Sequence, residues 1–247
     1  MRTLVIGDIH GYRGTLETLL EAVAPTADDR LITLGDYVDR GPDSRGVLER
    51  LITLQEQGLL TPLLGNHDEM MLQALNGDPR HARAWLMFGG LATLASYNLT
   101  LDEVQQIPST HREFLDSCLP YYETDTHLFA HATVDPHKPL SEQEPHTLRW
   151  EKLHKPIQHL SGKTLVCGHT RQDQGWPLCW PGVVCIDTGV YEGPGWLSCL
   201  ILESGEVVQA NRTGELRRAP LTQPPEAVLF NRPRQKAKRP AADADDA

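Results

Sequence analysis

Thr3-Leu4-Val5-Ile6-Gly7-Asp8-Ile9-His10-Gly11 is the stretch from which the rest of the chain can be read. A short apolar run, Thr3–Ile6, has the composition of a buried strand; it stops at a glycine, then a carboxylate, then an imidazole two positions on. The pattern returns twice, at intervals of about thirty residues. Leu31–Leu34 runs into Gly35-Asp36-Tyr37-Val38-Asp39-Arg40-Gly41, and Leu59–Leu64 runs into Gly65-Asn66-His67-Asp68. Thr15, Leu16, Leu19, Leu20 and Val23 are spaced for one face of a helix between the first two strands. Pro42 and Ser44 open a second helix carrying Val47, Leu48, Leu51, Ile52 and Leu54. A third helix is expected from about Asp68 to Leu75. Successive β-α-β units predict a parallel sheet with right-handed crossovers. Ligands gather at the C-terminal ends of such strands, where all three motifs fall.

Residues 80–118 read as a helical insertion or cap over the sheet, with Gly89-Gly90 marking a helix break or a close packing contact. Beyond Pro120 the pattern turns to strands. Tyr121–Glu123 and His127–His131 form a predicted hairpin, followed by Leu165–Cys167, Val183–Ile186, Leu197–Leu202 and Val207–Ala210. The segment Trp176–Pro181 reads as a packed loop. A β-rich half on a β-α-β half predicts an α/β fold of two packed mixed β-sheets, a β-sandwich flanked by helices, in one catalytic domain over residues 1–219. Residues 220–247 combine several prolines, a basic run Arg232–Arg239 and the acidic Asp243, Asp245 and Asp246. They offer little to bury and read as a disordered tail.

A chain of 247 residues can bury a substantial core in one domain. Its formal charge of −10 argues against a nucleic-acid polymer as partner. An anionic substrate stays open, because bound divalent cations would reverse the sign locally. The five cysteines form no C-x-x-C pair and read as small buried hydrophobes in a reducing compartment. Nothing after Met1 has the pattern of a signal peptide, and no apolar run approaches the roughly 20 residues of a membrane span. A cytoplasmic protein with no membrane partner is therefore expected, its oligomeric state undetermined.

The motifs carry one kind of chemistry. Asp8 and His10, two apart just past a strand, can point to one side and grip one ion. Asp36 has two oxygens and can hold two ions at once, and Asn66 adds a neutral carbonyl. Further imidazoles must come from the later half. His131 ends its strand, and His169, in Gly168-His169-Thr170, follows Leu165–Cys167. Imidazole among oxygen ligands suits Mn, Fe or Zn better than Ca or Mg. Two such ions about 3.5–4 Å apart acidify a shared water to hydroxide and hold phosphate oxygens. His67, beside Asn66 but not needed as a ligand, is the natural general acid, and Arg40 offers a bidentate fork for phosphoryl oxygens. The remaining histidines, His81, His111, His137, His146, His154 and His159, read as solvated or capping, and His127 is the one that could be confused with His131.

Gly-Asp-x-His-Gly, Gly-Asp-x-Val-Asp-Arg-Gly and Gly-Asn-His-Asp resemble the calcineurin-like metallophosphoesterases. Within them they are similar to the phosphoprotein phosphatase group, which takes in phage and bacterial phosphatases and diadenosine tetraphosphatases. The resemblance runs from Thr3 to about Leu202. It implies Asp8, His10 and Asp36 at a first metal, and bridging Asp36 with Asn66, His131 and His169 at a second. It implies His67 as acid, oriented by Asp39, with Arg40 on the phosphate and manganese as the leading metal, iron or zinc being alternatives. A second phosphate-binding cation is expected from the later half, where Arg149 and Lys152 compete for the role.

The Asp-x-Val-Asp-Arg-Gly block favours a serine/threonine-type protein phosphatase, attacking a phosphomonoester of a phosphorylated protein or small molecule with a metal-bridging hydroxide. Asp68, where protein phosphatases usually carry glutamate, favours the alternative, a dinucleoside polyphosphate hydrolase. A catalytically silent binding module is the third reading, which the loss of a ligand or of the acid would signal; neither is missing here.

Overall fold

A computed structural model of the chain describes residues 1–222. In order, β1 (Thr3–Ile6), α1 (Arg13–Val23), β2 (Arg30–Thr33), α2 (Ser44–Glu56), β3 (Leu60–Pro62) and α3 (Asn66–Leu75) build the first half. The insertion follows as α4 (Pro79–Trp85), a π-helical turn Leu86–Gly90, α5 (Leu91–Ser96), a 3-10 turn Leu101–Gln106 and α6 (Ser109–Ser117). The later half adds β4 (Tyr121–Glu123), β5 (His127–Ala130), α7 (Pro145–Arg149), β6 (Thr164–Cys167), β7 (Leu178–Trp180), β8 (Val183–Cys185), β9 (Trp196–Ile201), β10 (Glu206–Asn211) and β11 (Leu216–Pro220).

Two mixed sheets result, with strand orders β11-β10-β9-β1-β2-β3 and β4-β5-β6-β8-β7. Strands β1, β2 and β3 are parallel, as are β5, β6 and β8. Alternation along each strand decides what each face buries. Val5, Ile32, Phe129, Val166, Val184, Leu200 and Val207 point between the sheets and form their common core. Their neighbours Leu4, Ile6 and Leu31 face the other way, onto the apolar stripe of α1 and α2 (Leu16, Leu19, Leu48, Leu51). On the far side of the second sheet, Leu128, Leu165 and Val183 are covered by Leu140, Leu148, Leu153 and Ile157. The expected sandwich with helices outside is the architecture observed. Among the described residues, no helix is long and apolar enough to cross a membrane.

Several local expectations change. α3 starts at Asn66, two residues early, because Asp68 reaches back to accept from Gly65 N at 3.0 Å and caps the helix. Leu178–Trp180, expected in a loop, is an edge strand antiparallel to β8. Its flanking prolines, Pro177 and Pro181, are tolerated only because no strand lies beyond it. β11 escaped notice because Leu216–Pro220 pairs at an edge and buries no residue fully, so it lacks an apolar signal. Pro220 thus belongs to the sheet, and Leu221 donates to Gly205 O at 2.8 Å. The rest of the expected tail, residues 223–247, lies outside the described residues. The insertion packs on α2 and α3 rather than on the sheet itself. His111 and His159, read as solvated, are buried: the first bonds Tyr97, the second Ser161 and Lys138 O.

Candidate metal centre

Asp8, Asp36, Asn66, His131 and His169 each follow a parallel strand of one sheet or the other, so packing the sheets brings five strand ends to one place. The turns that aim them are strained. His10, Asp36, Asp39, Arg40 and His169 have φ of 46°, 53°, 73°, 68° and 59°, five of the seven non-glycine residues described in the left-handed region. Such conformations cost roughly 1–3 kcal/mol each and persist only where neighbours impose them. The imposing contacts are visible here. Ile9 N and His10 N both donate to Asp36 O, at 3.1 and 2.8 Å, and Gly11 N donates to Tyr37 O. The Asp68 carboxylate accepts from Asp36 N and Tyr37 N at 2.8 and 2.9 Å as well as from Gly65 N. Gly168 has no substitute, since a Cβ there would collide with Asp8 Oδ1.

Backbone carbonyls fix the tautomers of the three inward imidazoles. His10 Nδ1 donates to Val38 O at 2.9 Å, His131 Nδ1 to Leu34 O at 2.8 Å, and His169 Nε2 to Trp150 O at 3.0 Å. Each opposite nitrogen then presents a lone pair. Burial holds all three pKa values below the ordinary histidine range, His169 at about 4, so the rings stay neutral. Those lone pairs face other acceptors. His131 Nε2 and His169 Nδ1 each lie 3.0 Å from Asn66 Oδ1. His10 Nε2 and His131 Nε2 each lie 3.4 Å from the Asp36 carboxylate. Burial together with the charges of Asp187 and Asp36 pushes the Asp8 carboxyl well up. At His131, His169 and Asn66 Oδ1, acceptors converge without a proton between them, and beside clustered buried carboxylates that favours positive charge there. The residues therefore fit divalent cations, in two groups sharing Asp36: His10, Asp36 and His67, and Asp36, His131 and His169, each with ligand atoms within 4.8 Å of one another.

His67 belongs to one of these groups by distance, but its hydrogen bonds give it a different task. Its Nδ1 donates to Asp39 Oδ2 at 2.8 Å. Asp39 in turn accepts from Trp85 Nε1 at 2.9 Å and Thr93 Oγ1 at 2.7 Å, both from the insertion. Burial disfavours the charged imidazole, but the charge of Asp36 and the bond to Asp39 outweigh it, and the His67 pKa is raised. Arg40 lays its guanidinium over the Tyr191 ring at 4.1 Å and donates to His10 Nε2 at 2.7 Å and His67 Nε2 at 2.8 Å.

The model of a known family, the calcineurin-like phosphoesterases, matches residues 1–173. The chain belongs to that family. Among curated proteins it is 44% identical over 84 residues to a symmetrical bis(5'-nucleosyl)-tetraphosphatase of Acidovorax sp. (strain JS42), covering 34% of this chain and 29% of that protein. It is 38% identical over 87 residues to serine/threonine-protein phosphatase 1 of Salmonella typhimurium, covering 35% and 38%. The tetraphosphatase name recurs among further relatives. The aligned stretches thus span less than two-fifths of the Acidovorax and Salmonella proteins. A solved structure provisionally assigned as a diadenosine tetraphosphatase superposes with a TM-score of 0.61 over 89% of this chain and 93% of its own, at 24% identity, a likeness of fold.

In this calcineurin-like phosphoesterase the strand ends open into a cavity of about 870 Å³. Asp8, Asp36, Asn66, His67 and His169 line its floor, with Arg40, Lys152 and Arg171 as cations and Phe88, Trp150 and Tyr191 as aromatics. Arg149 is not among the lining residues. It pairs with Glu69 at 2.7 Å, both largely buried, so of the two competing cations only Lys152 faces the cavity. Trp176 and Trp180 do not line it either. The indole at the cavity is that of Trp150, held by a bond from Nε1 to Glu69 at 2.7 Å. Sequence reasoning missed Arg171 and also Asp187. Asp187 occupies the register position of His169 on the adjacent parallel strand, since Cys167 pairs with Cys185. It is buried, its Oδ2 has no partner among the described residues, and burial pushes its pKa up to about 6. Its signal was available: Ile186-Asp187-Thr188-Gly189 repeats the pattern of an apolar run, a carboxylate and a glycine.

Proposed function

We propose that this chain hydrolyses dinucleoside polyphosphates at a two-cation site, with phosphoproteins as the second reading. The observation that carries it is the cavity, where Arg40, Lys152 and Arg171 (the last paired with Asp173 and Glu192) and three aromatic rings line one space above the acidic floor. A polyphosphate chain bearing bases needs both kinds of contact; a phosphorylated serine needs the first alone. The recurrence of the tetraphosphatase name among relatives supports the same order. That reverses the ranking read from the sequence. Asp68 does not decide the matter, since its carboxylate is used in holding three backbone N–H groups.

Asp8, His10 and Asp36 would hold one cation, and Asp36, Asn66, His131 and His169 the other, with manganese first and iron or zinc as alternatives. When bound, the cations polarise phosphoryl oxygens and supply a nucleophile at neutral pH. The Arg40 fork, now spread over two imidazoles, would turn onto the phosphoryl oxygens and free His67 Nε2. As the oxygen of water bonds to phosphorus and the bridging P–O bond breaks, the departing oxygen takes a proton from His67 Nε2. Asp39 holds the ring at Nδ1 and stabilises its charged form. Comparing kcat/KM for diadenosine tetraphosphate and a phosphoserine peptide, under one set of metal and pH conditions, tests the ranking. A tenfold preference for the dinucleotide, about 1.4 kcal/mol in transition-state binding, is expected; the reverse preference restores the phosphoprotein reading.

A further inference from the structure

The insertion presents an apolar surface that the core does not bury. Among the described residues, seven large hydrophobics are exposed, and Met87, Phe88 and Leu91, at 86%, 51% and 64%, fall within five consecutive positions. Clustered apolar exposure of this kind marks a binding surface. Phe88 also lines the cavity beside Arg40. The backbone around it is tied to the phosphate end of the site. Gly89, at φ 114°, accepts from Arg40 N at 3.4 Å, and a Cβ there would press on Arg40. Gly90 lies against the ring of Trp85, whose indole bonds Asp39. The π-helical turn thus ties the backbone beside Phe88 to that of Arg40, and both residues line the same cavity.

We infer that Phe88 is the platform on which a nucleobase of the substrate stacks while Arg40 takes a phosphate of the same molecule. This deepens the function proposed above and rests on it. A ring without donors or acceptors reads a flat π-face and not base identity, so adenine and guanine substrates are taken alike.

The test is product inhibition, using a base-free aliphatic phosphomonoester as substrate and ADP or pyrophosphate as inhibitor. Base stacking is worth about a tenfold change in binding. F88A is expected to raise the inhibition constant of ADP about tenfold while raising that of pyrophosphate much less. F88W should restore ADP binding, and GDP should behave as ADP does. Equal changes for ADP and pyrophosphate, or none for ADP, would overturn the platform. Because the reporter carries no base, a wild-type enzyme that prefers phosphopeptides over diadenosine tetraphosphate would defeat the proposed substrate class and leave this measurement readable.

Discussion

Trp85 Nε1 donates to Asp39 Oδ1 at 2.9 Å, so an indole from the helical insertion completes the hydrogen-bonding of the carboxylate that orients His67. Trp85 is fully buried and sits 46 residues from Asp39 in the chain. W85F keeps most of the packing but removes one donor from a buried carboxylate, a loss of about 1–3 kcal/mol. Stability should fall by that order in denaturant titration. Turnover should fall most on substrates with poor leaving groups, because a less fixed Asp39 holds the His67 proton less well. A uniform rate loss across leaving groups would place the effect elsewhere.

H67N should leave cation content near wild type and lower kcat by about 10²–10⁴ on a phosphoserine peptide. The loss should be smaller on diadenosine tetraphosphate, whose departing phosphate needs less protonation than an alkoxide. Steady-state rates on the two substrates, with metal analysis of each preparation, decide this. The same loss on both would remove His67 from the role of acid.

Adding manganese to chelator-treated protein should raise the melting temperature, since a ligand of the folded state alone contributes about 2.7 kcal/mol at a hundred times its Kd. D36N, lacking the carboxylate shared by both groups, should lose most of that shift. D187N should weaken it more modestly, because its unpartnered Oδ2 lies in the same buried acidic cluster. Calorimetric titration gives stoichiometry and affinity without reference to turnover. A wild-type protein that binds no cation would defeat the metal assignment.

Arg149 and Lys152 should separate cleanly. K152A is expected to raise KM severalfold with little change in stability, because Lys152 is exposed and lines the cavity. R149M leaves Glu69 buried without its ion-pair partner and should lower stability with a smaller effect on KM. The opposite pattern would return Arg149 to the substrate.

His111 makes folding sensitive to acid. Burial holds its pKa below the ordinary value near 6.5, and its Nδ1 shares a hydrogen bond with the Tyr97 hydroxyl at 2.5 Å. Below that value the unfolded chain takes up a proton that the folded chain refuses, so stability must drop as pH falls through about 6.5 toward 5.5. Denaturant midpoints at pH 7.5 and 5.5 should show a smaller drop for H111Q than for wild type. An identical slope in both proteins would show that His111 does not carry the effect.

Read alone, the chain carried the architecture of the first half and offered six candidate metal ligands. An apolar run ending in glycine and a ligand is short-range information, and a repeat of about thirty residues leaves only enough chain for one crossover helix. The continuous apolar run Thr3–Ile6 likewise had the composition of a buried strand, and the structure divides Leu4 and Ile6 from Val5 onto its two faces. What only the tertiary structure decided was which distant groups meet at those strand ends. Trp85 and Thr93 on Asp39, Arg149 turned away onto Glu69, and Asp187 in register with His169 all depend on how insertion and sheets pack. β7 and β11 were hidden for a related reason: each buries no residue fully, and an edge strand can be defined by its neighbour's hydrogen bonds with little apolar pattern of its own. Spacing along the chain selects side chains that leave one element together. Contacts between elements are set by close packing of surfaces far apart in sequence, and no local pattern records them.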